Sequence, residues 1–392
     1  MHPISGELSM KNCSLKLILE RMNGSTKPIA IVIITEYSEG DGQSIRVDHI
    51  VASLVDSYKV FIFAQNIKTH RIQEENPIFL PIGNYITTFL NIDFILALKK
   101  ADLIVIETGL PYIFNAFLSR KPFIYVVHGP DPLTLFKGKL KLRNILSNII
   151  EISPLLRLPD GIIAPTEWIA NYYESRKLNC FVVYAGVDEI FVPSNTKMRD
   201  TIFPKLITVG DWDGFNGRKR QHEFIYIFDK ILDKFPNAQL TLVGLSNQSK
   251  KILEKISHEL GTSGKIKFIG KISQLEVANE LKINDIYVAT TISDTFYRPI
   301  IEAFSCGLPS ITRDSRNLVK KVNLGHVYHT AQSSAGILYD GSSNSAITAI
   351  ETILSNYSFF SANAIRYAKK FNTGEIIKSY RAIFSQFGIR LE

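Results

Sequence analysis

The stretch from Ile286 to Thr312, IYVATTISDTFYRPIIEAFSCGLPSIT, indicates how the chain folds. A short apolar run is followed by a polar loop, by an amphipathic segment that begins at Pro299, and by a second apolar run. Proline favours the first turn of a helix, so we predict a strand at 286–289, a helix at 299–306 and a strand at 309–312. A helix between two buried strands is the repeating unit of a parallel α/β sheet.

The same alternation runs through most of the chain and predicts two domains, which suits a length of 392 residues. Earlier apolar runs predict strands at 28–34, 59–64, 103–106, 123–127, 161–164, 181–184, 205–209, 239–243 and 266–269. The polar, turn-prone stretch 192–201 is the expected linker. We therefore expect an N-terminal domain at 1–195, a C-terminal domain at 196–372, and a terminal helix within 373–392 that can pack back on the first domain.

The composition is that of a soluble globular protein, with 45% hydrophobic and 21% charged residues. A net charge of +8 suits an anionic partner, and an ordinary solvated surface explains it equally well. No arginine-rich block is present, so nucleic acid is not expected as a partner. The three cysteines lie far apart, which argues against a zinc site or a disulfide framework and favours a reducing, cytoplasmic location.

One apolar segment, 78–98, resembles a membrane span. It contains Pro81, Asn84, Asn91 and Asp93, which would leave polar groups in hydrocarbon. We therefore expect a buried or interfacial helix region there. The first 26 residues carry charges throughout and do not resemble a signal peptide.

Two carboxylates flank the predicted helix start. Asp294 falls in the loop before Pro299, and Glu302 falls on the helix. The amides of Phe296, Tyr297 and Arg298 lie at the helix start, where the partial positive charge suits a diphosphate. Taken alone, the pair is better explained by an ordinary acidic residue in a loop and an exposed charge on a helix, and the surrounding string is what favours a site.

The string from Asp294 to Pro309 resembles the signature of the retaining glycosyltransferases of family four, within the GT-B superfamily. Their pattern is a Glu, seven residues, a second Glu, Ala, a short stretch, Gly and Pro. The resemblance implies a GT-B architecture of two Rossmann-like parallel-sheet domains that face a cleft. It also implies transfer from a UDP- or GDP-sugar to an acceptor hydroxyl, with retention and without a metal or other cofactor. Asp294 would then contact the donor sugar and Glu302 the ribose.

The resemblance extends to further positions of the chain. His128 corresponds to a histidine at the reaction centre, and Lys219, with Arg218, corresponds to basic residues that stabilise the diphosphate. Asp211 stands where the family has an arginine, and Tyr297-Arg298 stands where it often has Gly-Leu. Further residues expected near the donor or the phosphate are Phe296, Gly244, Gly270, Lys271, Ile272, Gly40, Asp41 and Gly42.

The acceptor stays open among a glycan, a lipid-linked substrate and a protein. The basic segment 137–157 predicts either peripheral contact with the inner face of a membrane or an ordinary packed helix. Asp211-Trp212-Asp213 has the spelling of a metal motif but lies where the family has its basic loop. The alternatives to a transferase are a GT-B-fold epimerase and a non-catalytic, nucleotide-sugar-binding scaffold subunit.

Overall fold

The computed structural model describes residues 19–20, 22–38, 42–68, 76–82, 92–107, 112–128, 154–193, 203–318 and 324–387. They form two compact units. The N-terminal unit takes in the described residues up to Gly186 together with those from Thr373 onward, and the C-terminal unit runs from Val187 to Asn372. The division therefore falls ahead of the sequence-based boundary at 195/196.

The N-terminal unit contains a parallel sheet with the strand order β3-β2-β1-β4-β5-β6-β7. Each neighbouring pair is parallel. The strands are β1 Ile29–Ser38, β2 Lys59–Lys68, β3 Ile78–Pro81, β4 Leu103–Ile106, β5 Phe123–Val126, β6 Gly161–Ala164 and β7 Cys180–Val182.

Helices cover the N-terminal sheet because its central strands are apolar on both faces. β1 begins with the run IAIVII, whose side chains are all buried, as expected for a strand between two layers of helices. The described helices of this unit are α1 Gly42–Leu54, α2 Ile92–Leu98, α3 Tyr112–Ser119 and α4 Glu167–Glu174, together with the 3-10 helix Pro154–Arg157.

The C-terminal unit contains a second parallel sheet, with the strand order β10-β9-β8-β11-β12-β13. Its strands are β8 Lys205–Val209, β9 Gln239–Leu245, β10 Ile266–Gly270, β11 Ile286–Ala289, β12 Ser310–Arg313 and β13 Gly336–Tyr339. Its helices are α5 Gln221–Lys234, α6 Asn247–Glu259, α7 Gln274–Ile283, α8 Arg298–Ser305, α9 Gly325–Ser333, α10 Ser343–Ser355 and α11 Tyr357–Ala368, with 3-10 helices Ser263–Lys265 and Lys369–Phe371.

The terminal helix, α12 Thr373–Gln386, packs in the N-terminal unit. Ile376, Tyr380 and Phe384 share an apolar cluster with Val47 and Ile50 of α1. An ion pair between Arg381 and Asp56, at 2.6 Å, adds to this contact. The chain therefore returns to its first unit after it has built the second.

The prediction of two parallel-sheet α/β domains is confirmed. The strand-helix-strand order expected for 286–312 is also observed, with each boundary within about one residue of its expected place. The expectation of a helix region throughout 78–98 is wrong at its start. There Ile78–Pro81 pairs in parallel with β2 as an edge strand, and helix α2 begins at Ile92. Among the described residues, no helix has both the length and the apolarity to cross a membrane.

Each sheet has one place where its strand order reverses. In the N-terminal sheet this place lies between β1 and β4, and in the C-terminal sheet it lies between β8 and β11. Ligands of open parallel sheets bind beyond the carboxyl ends of the strands at such a reversal. The residues that follow β4, β8 and β11 are therefore the first ones to inspect for a site.

Candidate active site

The start of helix α8 has an unusual backbone. Tyr297, the residue that caps the helix, has φ 57° and ψ 62°, in the left-handed region that favours glycine. This conformation costs an L-residue about 1–2 kcal/mol. Burial of the Tyr297 ring, 2% exposed, and its 2.9 Å hydroxyl bond to Tyr287 offset that cost. Pro299 lies in the first turn and fixes where the helix begins.

Asp294 lies in the loop between β11 and α8, and its position is fixed on several sides. Its Oδ1 accepts a hydrogen bond from the Tyr297 amide at 2.9 Å, and its carbonyl oxygen accepts one from the Gly325 amide at 2.8 Å. A Cβ at Gly325 would lie 2.5 Å from the carbonyl oxygen of Thr295, so only glycine allows α9 to approach this closely. The Asp294 carboxylate is therefore held in place before any ligand binds.

The basic loop after β8 is ordered by a carboxylate within it. Asp213 accepts hydrogen bonds from the amides of Arg218 and Lys219, at 2.8 and 2.9 Å. On the other side, the Thr290 hydroxyl donates to the Lys219 carbonyl at 2.5 Å, and the Ile292 amide donates to the Arg218 carbonyl at 2.9 Å. The loop is thus pinned to the end of β11.

This pinning brings two cations to Asp294. Arg218 Nη1 lies 2.5 Å from Asp294 Oδ2, and Lys219 Nζ lies 3.8 Å from the same oxygen. Burial acts to raise the pKa of Asp294, but Lys219, Arg218 and the Tyr297 amide together hold it below its usual value. The carboxyl is therefore ionised at neutral pH. The Arg218 side chain is 43% exposed, so a ligand can reach it.

Lys219 is the more enclosed of the two cations. Burial lowers the pKa of its ammonium, and Asp294 opposes that shift. Its Nζ lies 5.0 Å from the centre of the Tyr297 ring, a distance suited to a cation–π contact. The same Nζ lies 3.8 Å from the position that a Cβ would take on Gly210, directly after β8.

Glu302, on helix α8, belongs to a second charged cluster. Its Oε1 lies 3.0 Å from Arg298 Nε, and Arg298 Nη2 lies 3.3 Å from Asp188 Oδ2. Burial raises the pKa of Glu302 above its usual value, although Arg298 acts to lower it. Arg298, where the resemblance places leucine, is therefore the ion-pair partner of the carboxylate expected to hold ribose.

The carboxyl ends of β8, β9 and β10 present a row of glycines. A Cβ on Gly244, whose φ is 93°, would lie 3.5 Å from the Gly210 backbone, and one on Gly270 would lie 3.7 Å from the carbonyl oxygen of Leu245. Beyond this row Lys271 is exposed and Ile272 is half-buried. Phe296 is only 4% exposed and its ring packs on His329 and Phe371, so its side chain is part of the core and does not face a ligand.

Other expected residues lie in the N-terminal unit. His128 follows β5, and its Nε2 lies 3.0 Å from the carbonyl oxygen of Glu107, the residue that follows β4. Gly42 is the first residue of α1. Gly40, Asp41 and 137–153 of the basic segment lie outside the described residues, and 154–157 form a 3-10 helix.

Asp211, which stands where the family has an arginine, accepts a hydrogen bond from the Ser246 amide at 2.9 Å, beside the start of α6. It therefore joins two loops at the ends of β8 and β9. Within the part of the chain that the structure describes, no group of three or more His, Cys, Asp and Glu side chains is placed to hold a metal ion.

Sequence reasoning missed three contributors to these clusters. Asp213 orders the basic loop, Asp188 pairs with Arg298, and Glu107 contacts His128. Each follows or adjoins a strand end or a glycine, a position that could have drawn attention to it. Arg298 and His128, the partners of Asp188 and Glu107, lie 110 and 21 residues away in the sequence, so these two contacts needed the fold, whereas the contacts of Asp213 are local to its loop.

Two family models match the chain: one described as Glycosyltransferase Family 4 over residues 40–190, and one described as Glycosyl transferases group 1 over residues 204–371. A comparison with curated proteins by sequence gives no match.

Solved structures of the same fold extend over nearly the whole chain. HepE of Anabaena, in complex with UDP and glucose, is 16% identical with a TM-score of 0.71, and the match covers 92% of this chain and 100% of that one. Sucrose-phosphate synthase from Thermosynechococcus elongatus is 17% identical with a TM-score of 0.69, covering 92% and 99%. WaaG, a glycosyltransferase involved in lipopolysaccharide biosynthesis, is 14% identical with a TM-score of 0.64, covering 90% and 99%.

The fold and the two matching models define a glycosyltransferase with GT-B architecture. The chain belongs to the family 4, group 1 glycosyltransferases.

Proposed function

We propose that this glycosyltransferase moves a sugar from a nucleotide diphosphate donor to an acceptor hydroxyl, with retention of configuration. The observation that carries the proposal is the convergence of Lys219, Arg218 and Asp294 where the C-terminal strand order reverses. The neighbouring HepE structures, in complex with UDP and with UDP-glucose, support a uridine nucleotide as the donor carrier.

The reaction breaks the bond between the anomeric carbon and the diphosphate oxygen, and negative charge builds on the departing diphosphate. Fixed cations aimed at that oxygen lower the barrier, because they need no reorganisation as the charge develops. Lys219 and the exposed side of Arg218 would supply these cations. Asp294 would hold both of them in place and accept a hydrogen bond from a hydroxyl of the donor sugar.

Glu302 would accept hydrogen bonds from the ribose hydroxyls, as the family resemblance implies. In the unliganded chain one of its oxygens contacts Arg298, which leaves the other oxygen to meet a ribose. The small strand-end residues Gly210, Gly244 and Gly270 would let the nucleotide approach the backbone closely. Lys271 and Ile272 would then lie beside the base.

Two cations beside the leaving group can take the place of a divalent metal, so we propose a metal-independent reaction. Asp211 and Asp213, the two acids of the motif-like spelling, both accept hydrogen bonds from backbone amides. Addition of a chelator should therefore leave the rate unchanged, whereas loss of activity that Mg²⁺ or Mn²⁺ restores would contradict metal independence.

We propose that the acceptor is a glycan, a lipid-linked sugar or a protein, and that His128 lies at the reaction centre. The enzyme would act in the cytoplasm, with segment 137–157 as a candidate contact with the inner face of a membrane. The membrane proposal rests on the basic, amphipathic sequence pattern of that segment. Co-sedimentation with anionic and with neutral vesicles would test it.

The test is donor turnover by purified protein. UDP- and GDP-sugars are incubated with the protein, with and without candidate acceptors, and release of the nucleoside diphosphate is followed. Wild-type protein should release UDP from a UDP-sugar. Glu302→Ala should abolish release while its circular dichroism and melting temperature match wild type, and Glu259→Ala, on an exposed helical acid, is the matched control.

Full activity of Glu302→Ala would overturn the assignment of the donor site. Binding of a nucleotide sugar with no hydrolysis or transfer would favour the scaffold subunit instead. An epimerised sugar from donor alone would favour the epimerase.

A further inference from the structure

A buried polar cluster lies at the reversal of the N-terminal sheet. Glu107 follows β4 and is fully buried, and Arg46 on α1 is 8% exposed. His128 follows the neighbouring strand β5, and its side chain is 31% exposed. Part of the His128 side chain is thus accessible to a ligand, whereas Glu107 and Arg46 are buried.

The geometry determines which ring nitrogen of His128 carries a proton. Nε2 forms a 3.0 Å hydrogen bond with the backbone carbonyl oxygen of Glu107, and it lies 3.2 Å from Oε1 of the Glu107 carboxylate, an oxygen that has no hydrogen-bond partner among the described residues. A carbonyl oxygen and a carboxylate can only accept hydrogen bonds. Nε2 must therefore be the donor, and in the neutral ring the lone pair is on Nδ1.

Arg46 explains how a carboxylate can lie in this place. Its Nη1 is 3.8 Å from Glu107 Oε1, too far for a hydrogen bond but within ion-pair distance. A buried carboxylate without a cation is strongly disfavoured. The third polar group that faces the pair from a packed helix is Tyr380 of α12, whose fully buried hydroxyl has no hydrogen-bond partner among the described residues.

We propose that Glu107 is a positioning residue for His128, and that Arg46 is the ion-pair partner of Glu107 in this buried place. The backbone carbonyl of Glu107 holds the imidazole in the Nε2–H tautomer, and its carboxylate, which lies beside the same N–H, favours this orientation of the ring by electrostatic attraction. The Nδ1 lone pair then accepts a hydrogen bond from a hydroxyl of the sugar substrate. This last step rests on the proposed function, whereas the tautomer and the ring orientation do not.

The tautomer can be measured without any activity. Protein labelled with ¹⁵N-histidine gives separate Nδ1 and Nε2 signals, and a His128→Gln variant assigns those of His128. In the neutral form of the ring, hydrogen on Nε2 is the expected result, and hydrogen on Nδ1 would overturn the proposal. This measurement keeps its meaning even if the protein transfers no sugar.

The route through His128 is tested by a double-mutant cycle on donor turnover. Glu107→Gln should lower kcat by roughly 10- to 100-fold, the scale of loss known for histidines at metal sites that lose the partner orienting them, while the donor KM stays within about twofold. In a His128→Ala background the same substitution should have no further effect, because the residue it acts through is gone. If Glu107→Gln lowers kcat by the same factor in the wild-type and in the His128→Ala background, Glu107 does not act through His128.

Discussion

In each of the two units a carboxylate with a cation beside it follows a strand of the sheet, but the side chains of the two clusters differ in how far they are exposed to solvent. In the C-terminal unit the Arg218 side chain is 43% exposed and that of Asp294 is 17% exposed. In the N-terminal unit the Arg46 and Glu107 side chains are 9% and 0% exposed. A ligand can contact the charges of the first cluster directly, whereas in the second it can reach only the imidazole of His128.

This difference separates two uses of buried charge. Charged side chains that contact a ligand must stay partly exposed and must remain ionised. The lowered pKa of Asp294 keeps its carboxylate ionised. Charges that act through another side chain can be sealed off, provided that they neutralise each other. Loss of a cation should therefore have different consequences in the two clusters: removal of the buried Arg46 should mainly cost stability, and removal of Lys219, which lies beside the partly exposed Arg218, should mainly cost reaction rate.

The largest expected effect is on stability. Arg46→Met leaves Glu107 buried without its cation and should destabilise the N-terminal unit by about 3–5 kcal/mol. Arg218→Met is the matched control, because a partly exposed pair contributes about 0–1 kcal/mol and Lys219 remains beside Asp294. Hydrogen exchange in urea, resolved on peptides from each unit, measures both. Equal losses in the two units would contradict the distinction.

The next effect is on chemistry. Lys219→Ala should lower kcat for donor turnover by about 100- to 1000-fold, since it removes a fixed cation from the departing diphosphate. Lys255→Ala, on a side chain that is 78% exposed, is the control and should behave as wild type. A Lys219→Ala enzyme that retains its kcat would remove this residue from the reaction.

A smaller effect concerns the strained helix start. Tyr297→Gly relieves about 1–2 kcal/mol of left-handed strain but loses a buried aromatic ring, which costs about 3–5 kcal/mol. The net change should be a loss of about 1–4 kcal/mol in the C-terminal unit, measured by the same exchange experiment. A stabilised variant would mean that the ring contributes less than its burial indicates.

The smallest effect is a pH dependence of nucleotide binding. The folded-state pKa of Glu302 is raised, so its carboxylate gains a proton at a higher pH than an ordinary glutamate, while Asp294 stays ionised in the same window. UDP affinity should therefore fall as the pH drops through that raised pKa. The phosphate of UDP also titrates near pH 6, so the difference between wild type and Glu302→Gln isolates the contribution of Glu302. If UDP affinity changes with pH in the same way in wild type and in Glu302→Gln, protonation of Glu302 does not contribute to the pH dependence.

The fold was largely predictable from sequence because its strands are apolar and bounded by turn residues. Strands Leu103–Ile106, Gly161–Ala164, Lys205–Val209 and Ile286–Ala289 have the predicted bounds. The prediction for Ile78–Pro81 is wrong because this short edge strand lies in a longer apolar stretch that also contains a helix. An apolar pattern alone does not separate a short strand from part of a helix. The helices Ser343–Ser355 and Tyr357–Ala368 were not predicted, although the first has its buried residues at helical spacing.

Residues of the candidate site were predictable only where they belong to a recognisable sequence motif. Asp294 and Glu302 are marked by their spacing and by Pro299, and Lys219 by its basic neighbours. The partners that hold these residues, such as Asp213 and Asp188, were not predictable. Arg298 and Glu302 are close in sequence, but Asp188 is more than a hundred residues away, and such a contact depends on how the sheet is assembled.

The central claim is that the C-terminal cluster binds a nucleoside diphosphate through Lys219 and Glu302. Calorimetric titration with UDP tests it most directly, with wild type, Lys219→Ala, Glu302→Gln and the control Lys255→Ala. The account predicts binding by wild type and by the control, and a loss of at least about tenfold in affinity for each of the other two, the effect of about 1.4 kcal/mol. Unchanged UDP affinity in both Lys219→Ala and Glu302→Gln would contradict it.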